Sequence, residues 1–219
     1  MHNKLSTNKT FAVIYRVASC LFAICGVLVV TGVLENAIDP VRFLAYTVQS
    51  NIWAALMFGV LAVRTIATPK GESYGFYPRI EMIVTHAIFI TMLVFWFILA
   101  PLMASSIVGL FTSFENMAVH LITPLLMLID YLVFTKRGEL KPTDPLLCLI
   151  IPYVYIAQAM ALGLTHSVFY DSPGNHSYYP YSFMDVDLLG AWVIPILAGL
   201  TVFFLGIAFL WRWVDGKLK

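Results

Sequence analysis

Thr47 and His120 are a hydroxyl and an imidazole set in apolar stretches of chain, and together they supply the parts of a nucleophile and its base. A neutral imidazole can take the proton of a hydroxyl, which then attacks a carbonyl carbon. Thr47 belongs to Tyr46-Thr47-Val48-Gln49-Ser50-Asn51, where Thr47, Ser50 and Asn51 follow i, i+3, i+4 spacing and share one helical face. His120 belongs to Glu115-Asn116-Met117-Ala118-Val119-His120-Leu121-Ile122-Thr123-Pro124, with Asn116 four residues before it on the same face. Asn116, or an outer-loop residue such as Asp185, is positioned to hold the second imidazole nitrogen. Asn51 and Asn116 are candidate oxyanion donors. Pro124 frees a backbone carbonyl at the level of His120. The structural alternative is that Thr and Ser bond back to their own helix, while Asn and His bridge neighbouring helices.

The elements that must position these groups are membrane helices. Of 219 residues, 60% are hydrophobic and 11% charged, and mean hydropathy is +0.85. Soluble domains carry about a quarter charged residues, so this chain cannot cover itself with polar surface. Six continuous apolar stretches, 11–34, 44–67, 80–103, 117–135, 145–165 and 187–213, approach or exceed the roughly 20 residues that cross a bilayer core. Their continuity predicts helices rather than alternating barrel strands. The expectation is an all-α, six-helix transmembrane bundle forming a single domain, 1–219. The first stretch is too long for a signal-peptide core and has no small-x-small cleavage site, so it is expected to be retained.

Six spans place twelve of the 13 Lys and Arg residues on one side, with only Arg42 opposite. The positive-inside rule then predicts that both termini are cytoplasmic. Thr47 and His120 fall about one turn, roughly 5 Å, inside the outer boundary of helices two and four. His166 ends helix five on the same side. The outer loop 166–186 is dense in Tyr, Pro, Ser and His, a composition that favours an interfacial aromatic belt over a lid on a cavity. Toward the other side, Asp130 is expected to pair with Arg16 or Arg64 as a structural clamp. His86, on helix three, lies half a membrane from His120, too far for the two to bridge one haem. A net charge of +1 gives no electrostatic case for nucleic acid. Cys20, Cys25 and Cys148 all lie in or beside helices, away from the outer loops, so no disulfide framework is expected.

With these residues in view, the chain resembles the androgen-induced-gene family of six-helix membrane proteins. The resemblance rests on Thr47 at the start of helix two, Asn116-x-x-x-His120 at the start of helix four, and His166 followed by Tyr179-Pro180-Tyr181-Ser182-Phe183-Met184-Asp185. It covers most of the chain from helix two onward. Met117 stands where the family has a second histidine, and Pro124 is one residue nearer His120, which points to a bacterial branch and a bacterial cytoplasmic membrane. The family includes hydrolases of fatty acid esters of hydroxy fatty acids, in which a threonine and a histidine are the essential pair. The resemblance therefore implies a lipid or fatty-acid ester as ligand, Thr47 as nucleophile and His120 as base, with no cofactor or metal. Ser50, Asn51, Asn116, His166 and Asp185 are the accompanying candidates for orienting groups and pocket walls.

Two other readings compete. One is a non-enzymatic protein binding lipid, metal or haem through His120, His166 and either His176 or Asp185, although no tight ligand spacing supports it. The other is a small transporter, which predicts broken half-helices and repeat symmetry that the sequence does not display.

Overall fold

The structure, a computed structural model, describes residues 7–103, 107–172 and 175–217. Six helices are long and apolar enough to span a membrane: α1 (Lys9–Val30), α2 (Tyr46–Ala67), α3 (Pro78–Leu99), α4 (Phe114–Phe134), α5 (Asp144–Leu164) and α6 (Val186–Lys217). The chain is an integral multi-pass membrane protein. Its spans agree with the apolar stretches to within a turn or so at each end. One element departs from the all-α expectation: Tyr170–Ser172 and Asn175–Ser177 pair antiparallel as β1 and β2 between α5 and α6.

Local chemistry sets the helix boundaries. The side chains of Asn8, Ser113 and Asp185 accept backbone N–H bonds from Phe11, Asn116 and Leu188, capping α1, α4 and α6. Asp39 does the same for the 3₁₀ turn Pro40–Leu44 that leads into α2. Pro78 opens α3, where its missing N–H has no helical partner to lose. After α1, Gly32 adopts φ 74°, and a Cβ there would stand 2.2 Å from the Ala37 carbonyl oxygen. Only glycine permits that turn.

Half of each apolar window in α2, α3 and α4 is buried, against 17–28% for α1, α5 and α6. The first three are thus the centre and the others the rim. Rim side chains such as Ile14, Val154 and Val202 are more than 60% exposed, and so are Val63 and Phe97 on the outward faces of α2 and α3, the surface that lipid must solvate. The start of α5 packs against α6 and α3. At the other end, Gln49 of α2 donates to Gln158 of α5 at 3.2 Å.

The end rich in Lys and Arg holds the expected clamp. Arg16 donates from Nε and Nη2 to the two carboxylate oxygens of Asp130, at 2.9 and 2.8 Å, and both side chains are fully buried. Nη1 donates to Thr65 Oγ1 and to the Tyr74 carbonyl, so three helices and a loop converge on one guanidinium. Arg64 instead lies over the rings of Phe76 and Tyr77. His86 is buried against Trp211, whose Nε1 donates to its Nδ1 at 3.3 Å, a packing role.

Candidate active site

α2 and α4 bring the two candidates together. Thr47 Oγ1 lies 3.2 Å from His120 Nε2, across 73 residues of sequence. That is the outer limit of direct proton-transfer distance, and such contacts are often long before substrate binds. The imidazole is stacked on Phe95 at 3.6 Å between centroids and 10° between planes, which fixes the ring's orientation.

The helical backbone is irregular at this point in both walls. Phe95–Leu99 in α3 and Ala118–Ile122 in α4 are π-helical turns, each carrying one residue more than an α-helical turn. Pro124 has no N–H to give the His120 carbonyl, and Trp96 Nε1 takes that acceptor at 3.0 Å. Asn51 Nδ2 donates to the carbonyls of Thr47 and Val119 at 2.8 and 3.0 Å, cross-bracing α2 to the widened turn of α4. Ser50 Oγ donates to the Thr47 carbonyl and meets Thr91 Oγ1 at 2.7 Å. These polar residues therefore hold the backbone on either side of the pair.

Several expected orienting roles are reassigned by the geometry. Both Asn51 amide hydrogens are spent on backbone carbonyls, so the side chain has none left for an oxyanion. Asp185 accepts from Ser177 Oγ at 2.6 Å and caps α6, with no contact to His120. His120 Nδ1 makes no hydrogen bond, and the backbone carbonyl of Asn116, one turn back, lies near the ring. Asn116 thus approaches the imidazole through its main chain rather than its amide. His166 pairs with Asp187 at 2.9 Å, and His176 with Asp171 across the hairpin. The histidines do not converge, and among the described residues no group of three or more His, Cys, Asp or Glu side chains could hold a metal.

Thr47 also lines a half-open cavity of about 70 Å³, with walls from α2, α3, α5, α6 and the loop after the hairpin. The lining is almost entirely apolar, including Ile90, Phe95, Ile156, Leu197 and Phe204. This wall was not read from the sequence. Nor was the loop's fold: Tyr179 and Met184 are buried, and Tyr181 and Phe183 face the cavity, so the segment is tucked inward rather than spread as a belt. Gly163 makes that possible, because a Cβ there would stand 2.2 Å from the Tyr179 ring. The Tyr181 hydroxyl lies beside those of Thr47 and Tyr155; burial pushes its ionisation above the ordinary tyrosine range, while these two neighbours work the other way. It is a protonated donor next to the candidate nucleophile. The only signal for it in the sequence is its place in the Tyr-Pro-Tyr run.

No family model, curated protein or solved structure matches this chain.

Proposed function

We propose that the protein is an intramembrane lipid-ester hydrolase, related to the androgen-induced-gene family, with Thr47 as nucleophile and His120 as base. The carrying observation is the 3.2 Å approach of Thr47 Oγ1 to His120 Nε2 at the wall of an apolar cavity. An acyl chain occupies the cavity and presents its ester carbonyl to Thr47. His120 takes the hydroxyl proton on Nε2, which requires the tautomer with hydrogen on Nδ1. The Phe95 face then lies against a developing imidazolium, a favourable cation–π placement where a carboxylate would otherwise serve. Tyr181 donates to the tetrahedral oxyanion. The alcohol leaves with the proton from His120, and water activated by the same imidazole releases the acid from the acyl-threonine. By the positive-inside rule the termini are cytoplasmic, the pair sits near the outer leaflet, and headgroup-level water and lipid both reach it.

The test is labelling of the detergent-purified protein with a lipophilic fluorophosphonate. Wild type is expected to label, and Thr47→Ala and His120→Ala each to abolish labelling. An unlabelled wild type, or labelling that survives both substitutions, overturns the proposal.

The cavity's nearly uniform apolar lining also suits a lipid-binding scaffold without turnover. The two readings part at Thr47→Ala: retained binding of a fatty-acid ester accompanies lost hydrolysis in the first, and no hydrolysis exists to lose in the second.

A further inference from the structure

The Arg16–Asp130 clamp has a third member whose charge nothing balances. Glu81, in the first turns of α3, is fully buried, and neither carboxyl oxygen meets an N–H or O–H donor. Its neighbours are the Asp130 carboxyl and the Thr135 side chain of α4, with Arg16 beyond. Four of the five Arg16 N–H groups are already engaged, two on Asp130 and two on Thr65 and Tyr74, and none meets Glu81. Two carboxyls therefore share one committed cation, and Arg16, Glu81 and Asp130 are all fully buried. The α3 N-terminus favours negative charge at Glu81, but the carboxyl accepts no backbone N–H there, and that field is small beside the cost of an unpaired buried anion.

The other ionisable groups around the site do not repair the imbalance. From α1, Tyr15 donates its hydroxyl to the Leu126 carbonyl. Arg64 of α2 faces aromatic rings, and Arg137, after α4, donates to the Tyr131 carbonyl. Tyr131 of α4 and Cys148 of α5 are neutral groups buried nearby. Asp215 of α6 accepts from the backbone N–H groups of Gly138 and Leu140 and adds negative charge.

We propose that Glu81 and Asp130 form a proton-binding site in which a single proton, carried on Glu81 and donated to Asp130, completes the Arg16 clamp. The ligand is the proton itself. Loading the site ties the start of α3 to the α1–α4 pair, and releasing it leaves one uncompensated carboxylate among the three helices. The site lies at the basic end, apart from Thr47 and His120, and stands whether or not that pair is catalytic.

The experiment is infrared spectroscopy of the full chain in lipid nanodiscs at neutral pH, reading the carbonyl stretch of a protonated carboxylic acid. Wild type is expected to show one such band, shifted by isotope-labelled glutamate. Glu81→Gln removes the band while leaving the melting temperature unchanged or raised, because the amide keeps the shape and needs no proton. Asp130→Asn also removes it, since Glu81 then ionises against Arg16. Absence of the band in wild type, its persistence in Glu81→Gln, or its persistence in a folded Asp130→Asn overturns the proposal. Glu81→Gln decides alone if Asp130→Asn does not fold.

Discussion

The two ends of this bundle solve the problem of polar groups in hydrocarbon in opposite ways. At the basic end, Arg16 is committed: Asp130, Thr65 and Tyr74 take four of its five N–H groups, and the one ligand placed there is a proton. At the acidic end, His120 keeps one nitrogen without a side-chain partner, and Thr47 opens on a cavity. A committed site holds helices together, whereas an incompletely satisfied site beside empty space is built to receive something. The chemistry of the side chains alone does not separate the two cases. Arg and Asp stand out more than Thr and His in a membrane sequence, yet it is Thr47 that lines the cavity.

The contrast is broken most severely by Asp130→Ala. It removes the two-point partner of a buried guanidinium, leaving only Glu81 to face it, and is expected to cost about 3–5 kcal/mol in denaturant unfolding of the purified protein. Thr47→Ala gives up one long hydrogen bond and should move stability by only about 1 kcal/mol. Equal losses from the two substitutions would erase the distinction between the ends. Next comes Tyr181→Phe, which keeps the cavity's shape and removes one donor. Ester turnover is expected to fall about 10²-fold in kcat with the fold intact, and an unchanged kcat would remove Tyr181 from the mechanism. The smallest effect is at Gly163→Ala, where the new methyl meets the Tyr179 ring. Overpacking of this kind costs about 1–3 kcal/mol, and proteolysis of the 166–186 loop should accelerate while the Arg16 clamp is untouched.

Much of this was legible in the chain because it depends on local or one-dimensional rules. Hydropathy locates six spans, the i, i+3, i+4 set places Thr47, Ser50 and Asn51 together, and Pro124 marks the carbonyl that Trp96 takes. That Asp130 pairs with Arg16 or Arg64 follows from opposite charges at one depth needing each other, and the fold chooses Arg16. What escaped depends on where distant segments come to rest. Asn51 and Asp185 each had an available functional role in sequence, and each is consumed by a partner that only the fold supplies. The cavity wall joins five segments, and Tyr181 reaches Thr47 only because Gly163 lets Tyr179 settle against α5. Nothing in the sequence marks Glu81, which follows Pro78 and Arg79 at the start of α3. Its lack of a partner becomes visible only when the bonds of Arg16 are traced and none reaches it.

The paired π turns carry a consequence for how such a protein can vary. Each widened turn absorbs one surplus residue, so the halves of α4 on either side keep the phase of one continuous helix. Excising one residue from Ala118–Ile122 would restore a regular helix and still leave a membrane span. The flanking halves would keep their facing, with Asp130 still on Arg16, while the residues of the turn itself, His120 among them, would be reseated. Insertion and deletion at this turn thus act on the Thr47 contact alone, able to retire or create it in one step while the span and the clamp stand.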